Sequence, residues 1–432
     1  RNVDVFSNTR FDSKEKKNDL DFEDMTADNI EFYVKSVLQN SGKLVVNTLL
    51  SITSANGILL ESLENMISAA IFKNTEKSFI ALVNNCDITF KGLENSAKES
   101  GIIIENNGNV NSECDITSNN YVFLFTDSGN LNLRDVTAKK DVLLYTSNGD
   151  ISFDTVSGGD VEILTDNGNL IADSIDSENN ISVGYKNSGI CGNVDIGKIS
   201  SNNTASVYAK NGEITLHAAD VKNSLMLGTQ SSGDVVLSNV KADSVAVTTE
   251  KGDINSEKIT ANSQYTQSIG EGNGTVHNIS SNLILTNSNI GNIEFYGIKN
   301  CKYLFVNNEI SGNITLIDND TKVDYVLQLA TEKGDISSRN IHSDLITIET
   351  NDGSINSENL ISANGMYLKA SGKASGAGGA RCGPRPLHDR RGSRRQHQFR
   401  HQYAARRADH LLQHHVRARA VRPVRRAHHL WL

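Results

Sequence analysis

Several residue types are scarce in this 432-residue chain, and each scarcity excludes a class of structure or site. The five cysteines lie far apart and form no C-x-x-C pair, so the sequence offers neither a disulfide framework nor a zinc finger. We expect the cysteines to be small buried side chains. No run of 18 apolar residues occurs, which excludes a membrane-spanning helix. The chain opens on Arg1 without a signal peptide, and we interpret it as an internal fragment.

Arginine and proline are scarce in one part of the chain only. Residues 1–380 hold 49 acidic and 28 basic side chains, a formal charge of −21, with four arginines and no proline. Residues 381–432 hold 14 arginines, two aspartates, eight of the 11 histidines and all three prolines, a formal charge of +12. Because the long first part is acidic, we expect no nucleic acid and no anionic membrane as its partner.

The basic tail allows three interpretations. Arginine clusters neutralise phosphates, so a nucleic-acid-binding arm is one of them. The pairs His414-His415 and His428-His429 suggest metal ligands as another. We prefer a third, an out-of-frame translation, because arginine, histidine and alanine without lysine, asparagine or isoleucine is what GC-rich codons give in the wrong frame.

Glycine, by contrast, recurs with a period of roughly 20 residues, as in proteins built from stacked coils. The ladder consists of Gly108, Gly129, Gly149, Gly168, Gly192, Gly212, Gly233, Gly252, Gly274, Gly291, Gly312, Gly334 and Gly353. An aliphatic residue follows each glycine two places later: Val110, Leu131, Ile151, Leu170, Val194, Ile214, Val235, Ile254, Val276, Ile293, Ile314, Ile336 and Ile355. Such a ladder specifies an architecture rather than an activity.

Each repeat has an aliphatic pair five residues apart, such as Ile254 and Ile259, and then an alternating run such as LITIET from Leu345. Alternation with period two indicates a strand with one buried face. We therefore interpret each repeat as two short strands separated by polar corners. Such a pair cannot bury its apolar face alone, whereas coils stacked on one another form a continuous core.

The sequence thus predicts an all-β parallel β-helix, or β-solenoid, with coils of about 20 residues. Glycine suits the corners because it adopts positive φ. With a coil rise of about 4.8 Å, thirteen coils form a rod on the order of 60 Å long. An N-G pair also marks β-hairpins, but a hairpin meander would not keep one motif through thirteen repeats. We expect irregular N-terminal coils over 1–56, the solenoid over 57–371 and a tail of low order over 372–432.

The repeats GDINSEKITAN from Gly252, GDISSRNIHSDLITIET from Gly334 and NGDISFDTVSGGDVEILT from Asn148 carry a family resemblance. In them the chain resembles the filamentous-haemagglutinin-like and adhesin β-solenoid repeat proteins of bacterial surfaces. The resemblance covers roughly residues 108–365. It implies a parallel β-helix exported to the cell surface, and it implies no catalytic residues.

No catalytic, cofactor-binding or metal-ligating residues stand out. Asp150, Asp234, Asp253 and Asp335 recur at one repeat position, which is typical of a structural motif rather than a unique site. His217, His277 and His342 are isolated, and Arg134 and Arg339 have no evident partners. We therefore expect neither an enzyme nor a cofactor.

The interpretation that follows is a non-catalytic, adhesin-like solenoid of a secreted or cell-surface protein, acting as a rigid shaft or a binding surface. Its partner would be a host or neighbouring cell-surface protein or a glycan, without membrane insertion. A polysaccharide lyase or hydrolase is the alternative, because such enzymes use carboxylate pairs or basic residues on one face. An intracellular scaffold is a third.

Overall fold

The structure is a computed structural model. It describes residues 87–95, 101–185, 190, 192–317 and 321–372 with their side chains, and four side chains nearer the N-terminus, those of Phe32, Ile52, Ile80 and Leu82. Residues 318–320 and the strands elsewhere are described by their backbone. One compact unit spans Arg1–Gly383. The predicted low-order tail lies outside the described residues beyond position 382, and so do the histidine pairs and the prolines.

Thirty-five strands make up the described fold, without a helix among the described residues. The first nine are β1 Val3–Asp4, β2 Thr9–Asp12, β3 Leu20–Phe22, β4 Met25–Val34, β5 Val37–Asn40, β6 Leu44–Ser54, β7 Gly57–Glu64, β8 Ile67–Asn74 and β9 Ile80–Asn84. The next sixteen are β10 Ile88–Asn95, β11 Ile102–Asn106, β12 Val110–Ser112, β13 Ile116–Ser118, β14 Val122–Thr126, β15 Leu131–Asn132, β16 Val136–Ala138, β17 Val142–Thr146, β18 Ile151–Gly158, β19 Val161–Thr165, β20 Leu170–Ser177, β21 Asn180–Val183, β22 Val194–Ser201, β23 Thr204–Ala209, β24 Ile214–Leu216 and β25 Ala219–Thr229. The last ten are β26 Val235–Lys251, β27 Ile254–Glu271, β28 Gly274–Ile290, β29 Ile293–Lys299, β30 Cys301–Ser311, β31 Ile314–Lys333, β32 Ile336–Asp352, β33 Ile355–Ala370, β34 Ala374–Ala377 and β35 Arg381–Cys382.

The strands pair in parallel, each with the equivalent strand one coil along. Val110 of β12 pairs with Leu131 of β15, which pairs in turn with Ile151 of β18. Parallel pairing of this kind continues from the first strands to β35. The predicted parallel solenoid is therefore confirmed, with about fourteen turns, and the hairpin alternative is wrong.

Each coil has three faces, not the two strands that the sequence pattern suggested. In one coil β12 belongs to a first sheet, β13 to a second and β14 to a third. The aliphatic pair five residues apart is divided between the first and second sheets. Ile254 and Ile259 both point inward because Lys258 between them turns the chain in the left-handed region, at φ 55°.

Asparagine occupies this left-handed corner in several other coils. Its short side chain tolerates positive φ better than other residues do, because it bonds locally to the backbone. The corner residues with φ between 51° and 56° are Asn239, Asn278, Asn300, Asn340 and Asn359.

Seven side chains per coil point into the core, two from each of the first two sheets and three from the third. The coil that begins at Ile336 shows the pattern: Ile336, Ser338, Ile341, Ser343, Ile346, Ile348 and Thr350 are all buried. Because the coils stack in register, equivalent positions form continuous apolar columns. Burial of each aliphatic side chain in these columns stabilises the fold by roughly 1.5–3 kcal/mol. This is the core that the sequence predicted.

One glycine of the predicted ladder is assigned wrongly. Gly272, with φ 147°, stands at the corner where Gly274 was expected. Gly274 instead occupies the aliphatic position, paired with Ile254 on one side and Ile293 on the other. A Cβ at position 274 would overlap the amide of Gln267, so glycine makes room there for a buried side chain.

Candidate functional site

The corner glycines stack directly on one another along the first edge of the coils. At Gly252 the backbone has φ 146°, which L-residues with a side chain rarely adopt, and an added Cβ would overlap the carbonyl oxygen of Gly233. The same overlap with the preceding glycine recurs at most other rungs, Gly334 and Gly353 among them. The ladder is therefore a steric requirement of the stacking.

The residue after each glycine forms a second ladder, which connects the coils by hydrogen bonds from backbone to side chain. The backbone N–H of Asn273 donates to Oδ1 of Asp253 at 2.7 Å, and that of Asp253 donates to Oδ1 of Asp234 at 2.7 Å. Equivalent bonds reach Oδ1 of Asp87, Asn109, Asn130, Asp150, Asn169, Asn193, Asn292, Asn313 and Asp335 from the next coil.

This geometry accounts for the recurrent acids. Asp150, Asp234, Asp253 and Asp335 each accept a backbone N–H from the following coil, at 2.7–2.8 Å. Hydrogen bonds to a carboxylate are among the stronger ones in proteins. The interpretation of these aspartates as a structural motif is confirmed by their contacts.

A third ladder, which the sequence reasoning missed, closes several of the coils on themselves. Thr146 is buried, and its hydroxyl donates to the carbonyl oxygen of Gly129 at 2.9 Å. Thr165 bonds Gly149 in the same way at 2.9 Å, and Thr350 bonds Gly334 at 2.8 Å. The signal was present in the sequence as a threonine three places before a ladder glycine, T-x-x-G.

The histidines and arginines take part in exposed pairs. Nε2 of His217 lies 3.1 Å from Oδ1 of Asp195, with both side chains more than half exposed. The ring of His277 stacks on the next coil's Tyr296, centroid to centroid at 4.7 Å. His342 is half-buried on the outer face of the second sheet, where it pairs in register with Lys322.

Arg134 and Arg339 do have partners, contrary to expectation. Nε of Arg339 is 3.1 Å from Oε2 of Glu358 in the following coil, and Nε of Arg134 is 4.0 Å from Oδ2 of Asp154. These are surface contacts between neighbouring coils, each with side chains about half exposed. Exposed pairs of this kind contribute little to stability. Among the described residues, these histidines, arginines and recurrent aspartates are not brought together into a catalytic arrangement.

The core is polar around the coil that begins at Ile254. The hydroxyl of Tyr265 lies 2.8 Å from Oγ of Ser256 and donates to Oε1 of Gln267 at 2.8 Å. Burial raises the pKa of the Tyr265 hydroxyl well above its ordinary value, so it stays protonated. Burial likewise raises the pKa of the Cys301 thiol to about 12. Cys301 is a small buried side chain as expected, Cys114 is half-buried, and Cys86 and Cys191 lie outside the described residues.

A surface cavity of about 290 Å³ lies beside Gly270. It is polar: Glu250, Ser268, Asn289 and Glu309 are among the residues that line it. Gly270 itself contributes no side chain that could fill the space. Among the described residues no group of three or more His, Cys, Asp and Glu side chains is placed to hold a metal ion.

The outer face of the third sheet is unusually apolar over four consecutive coils. The outward positions of β11, β14, β17 and β19 hold the side chains that we name the third-sheet patch: Ile103, Phe123, Phe125, Leu143, Tyr145 and Leu164. All six are half-buried. The Phe125 ring lies 6.5 Å from that of Phe123 and 6.4 Å from that of Tyr145. The patch is therefore a contiguous surface of side chains that pack on each other and still face outward.

Comparison with known families bears on the C-terminal half of the solenoid. Residues 194–359 match the family model described as Toastrack DUF4097. The match begins with the coil at Val194 and ends in the coil at Ile355, well under half of the chain. No curated protein and no solved structure matches the chain.

The Toastrack match agrees with the β-solenoid architecture and brings no activity with it, because the function of that domain is unknown. It does not name the filamentous-haemagglutinin-like family, so that resemblance stays an interpretation. No helix of the described residues is both long and apolar enough to cross a bilayer.

Proposed function

We propose that this chain is a non-catalytic, adhesin-like β-solenoid of a secreted or cell-surface protein, acting as a rigid shaft that also carries a binding surface. The observation that carries the proposal is the equivalence of successive coils. Glycines, corner oxygens and closing threonines each recur at one repeat position. The corner oxygens bond one coil to the next, and the threonines close individual coils. A structure in which every coil repeats the last suits the transmission of force better than the construction of one unique site.

The structural role of the corner carboxylates supports the same proposal. The corner aspartates that recur along the first edge accept backbone N–H groups, and such acceptors are held in place rather than free for proton transfer. The acidic surface favours protein or glycan partners on a host or neighbouring cell over nucleic acid.

Measurements of the location, adhesion and mechanics of the full chain test this proposal. Antibody labelling and protease shaving of intact source cells should find the chain outside the membrane. Beads coated with the purified chain should adhere to target cells, and pulling single molecules should give rupture at a fixed extension. A chain found only inside lysed cells, with beads that do not adhere, would contradict the proposal.

A carbohydrate-active enzyme is the second candidate, favoured by one observation: Glu250 and Glu309 line the same cavity. Carboxylate pairs across a groove carry out glycoside hydrolysis. The chain should then release reducing ends from a polysaccharide panel, and Glu250→Gln or Glu309→Gln should abolish the release. Asp173→Asn, on the exposed first sheet, is the matched control. Absence of product with the unaltered chain would rule this candidate out for the substrates tested.

A further inference from the structure

The third-sheet patch is a local feature, not a general property of the surface. In the same coils the outward positions of the first sheet hold Thr89, Asn111, Asn132 and Ser152. Those of the second sheet hold Glu94, Thr117, Thr137 and Ser157. Six of the eight outward positions on the third sheet are apolar, while the two other sheets of these coils present polar side chains. The patch therefore differs from the polar faces of the same coils and is a candidate docking surface.

The patch becomes polar on its C-terminal side in one of its two outward columns. Past β19 that column holds Ser182 and Ser206, while the other reaches Tyr208 of β23. On the N-terminal side, Ile103 and Glu105 pair in register with Ala81 and Val83 of β9. Four strands about 4.8 Å apart, with two outward side chains each, give on the order of 300 Å² of sheet face. A short extended segment of a partner is enough to cover an area of this size.

The charged side chains of the patch also favour a short partner segment over a second copy. Glu162 and Glu105 occupy the two outward positions of the patch that are not apolar, in its fourth and first coils. Neither has a hydrogen bond or an ion pair with a described residue. Burial among its neighbours raises the pKa of the Glu162 carboxyl, so its charge is poorly solvated.

A second copy placed face to face, with a twofold axis along or across the coils, would set each glutamate against an aliphatic side chain of the other copy. That arrangement would bury two carboxylates of each copy, four in all, without a cation. A segment with a lysine or arginine would instead give Glu162 the partner that it lacks.

We infer that the third-sheet patch docks a short protein segment that alternates apolar side chains on one side and carries a lysine or arginine opposite Glu162. The apolar side chains would lie across Phe123, Phe125 and Leu143, and the basic group would reach the carboxylate at the edge. This inference rests on the proposed binding role of the solenoid and adds its surface and the chemistry of its partner.

Synthetic peptides test the inference with the full chain. We would use 12-residue peptides that alternate valine or tyrosine with threonine and differ at one central position, arginine or glutamate, and measure their affinity by fluorescence anisotropy. The arginine peptide should bind about tenfold more tightly than the glutamate peptide. Glu162→Gln should reduce that preference to about twofold. Phe123→Ser, at an outward position, should weaken both peptides about tenfold.

Controls separate local recognition from general attraction to an acidic protein. Asp173→Asn removes an exposed carboxylate from the first sheet and should leave the preference unchanged. Leu143→Ser provides a second patch variant, and circular dichroism shows whether each variant is folded. Equal binding of the two peptides, an equal effect of Asp173→Asn, or binding to uncharged phospholipid vesicles instead would overturn the inference. Such a result would leave the adhesion and pulling measurements above unaffected, so the two proposals fail separately.

Discussion

Substitution of a single ladder glycine by alanine should cut the cooperativity of the solenoid at that coil. Gly252 has φ 146°, and an alanine held there would cost roughly 1–3 kcal/mol in backbone strain. Its Cβ would also overlap the carbonyl oxygen of Gly233, so the two corners would have to separate.

Separation would weaken the bonds at this corner. The N–H of Gly252 donates to the carbonyl oxygen of Glu271 at 2.9 Å, and the N–H of Gly233 donates to that of Lys251 at 2.8 Å. Each such bond contributes about 1 kcal/mol. Together with the strain, Gly252→Ala should destabilise the surrounding coils by about 2–5 kcal/mol.

Hydrogen exchange followed by mass spectrometry measures this effect where it occurs. Because coils interact mainly with their neighbours, peptides from about 233–271 should exchange faster, and peptides several coils away should change little. Gly365→Ala is the matched control, since an added Cβ there meets only Cδ1 of Leu345, at an ordinary 3.7 Å. Equal exchange in the two variants would refute the reasoning that the glycine column is a steric requirement.

Three further predictions concern single side chains. Thr146→Val keeps the shape of the buried side chain but leaves the Gly129 carbonyl oxygen without its donor, so urea denaturation should show a loss of about 1–3 kcal/mol. Asp253→Asn keeps an oxygen for the N–H of Asn273 and should be much milder than Asp253→Ala, which should lower the denaturation midpoint clearly. Burial raises the pKa of the Cys301 thiol to about 12, so the thiol is almost wholly protonated at pH 8, and peptide mapping after iodoacetamide at that pH should find it unmodified in the folded chain and modified in denaturant.

The periodic features of the fold could be predicted because each one repeats in the sequence. Glycine followed by an aliphatic residue indicated parallel coils, and the aspartate after the glycine indicated a structural role. Three faces per coil were missed because the asparagines at the second corner are hard to distinguish from the many other asparagines of the chain, and Lys258 replaces asparagine in one coil. Gly274 was misassigned because Gly272 stands two places before it, and only the strand pairing decides which of them is the corner.

The third-sheet patch was missed for a different reason. VFLFT from Val122 and VLLYT from Val142 are continuous apolar runs, whereas a strand with one solvated face alternates. Such runs are typical of strands buried on both faces, and the sequence alone does not say what lies against the outer one. In the structure that face meets only neighbouring side chains among the described residues, such as Tyr121, whose ring stacks on that of Phe123 with centroids 4.6 Å apart.

The central claim, that successive coils stack in register in a single direction, can be tested by distances between spin labels. Ser152, Thr275 and Ser337 occupy one outward column of the first sheet, so a label at 152 paired with one at 275 or at 337 spans six or nine coils. In a chain whose five native cysteines have been replaced, double electron–electron resonance should give distances near 29 Å and 43 Å, growing by about 4.8 Å per coil. Distances that fail to grow with the number of coils would contradict the solenoid and everything derived from it.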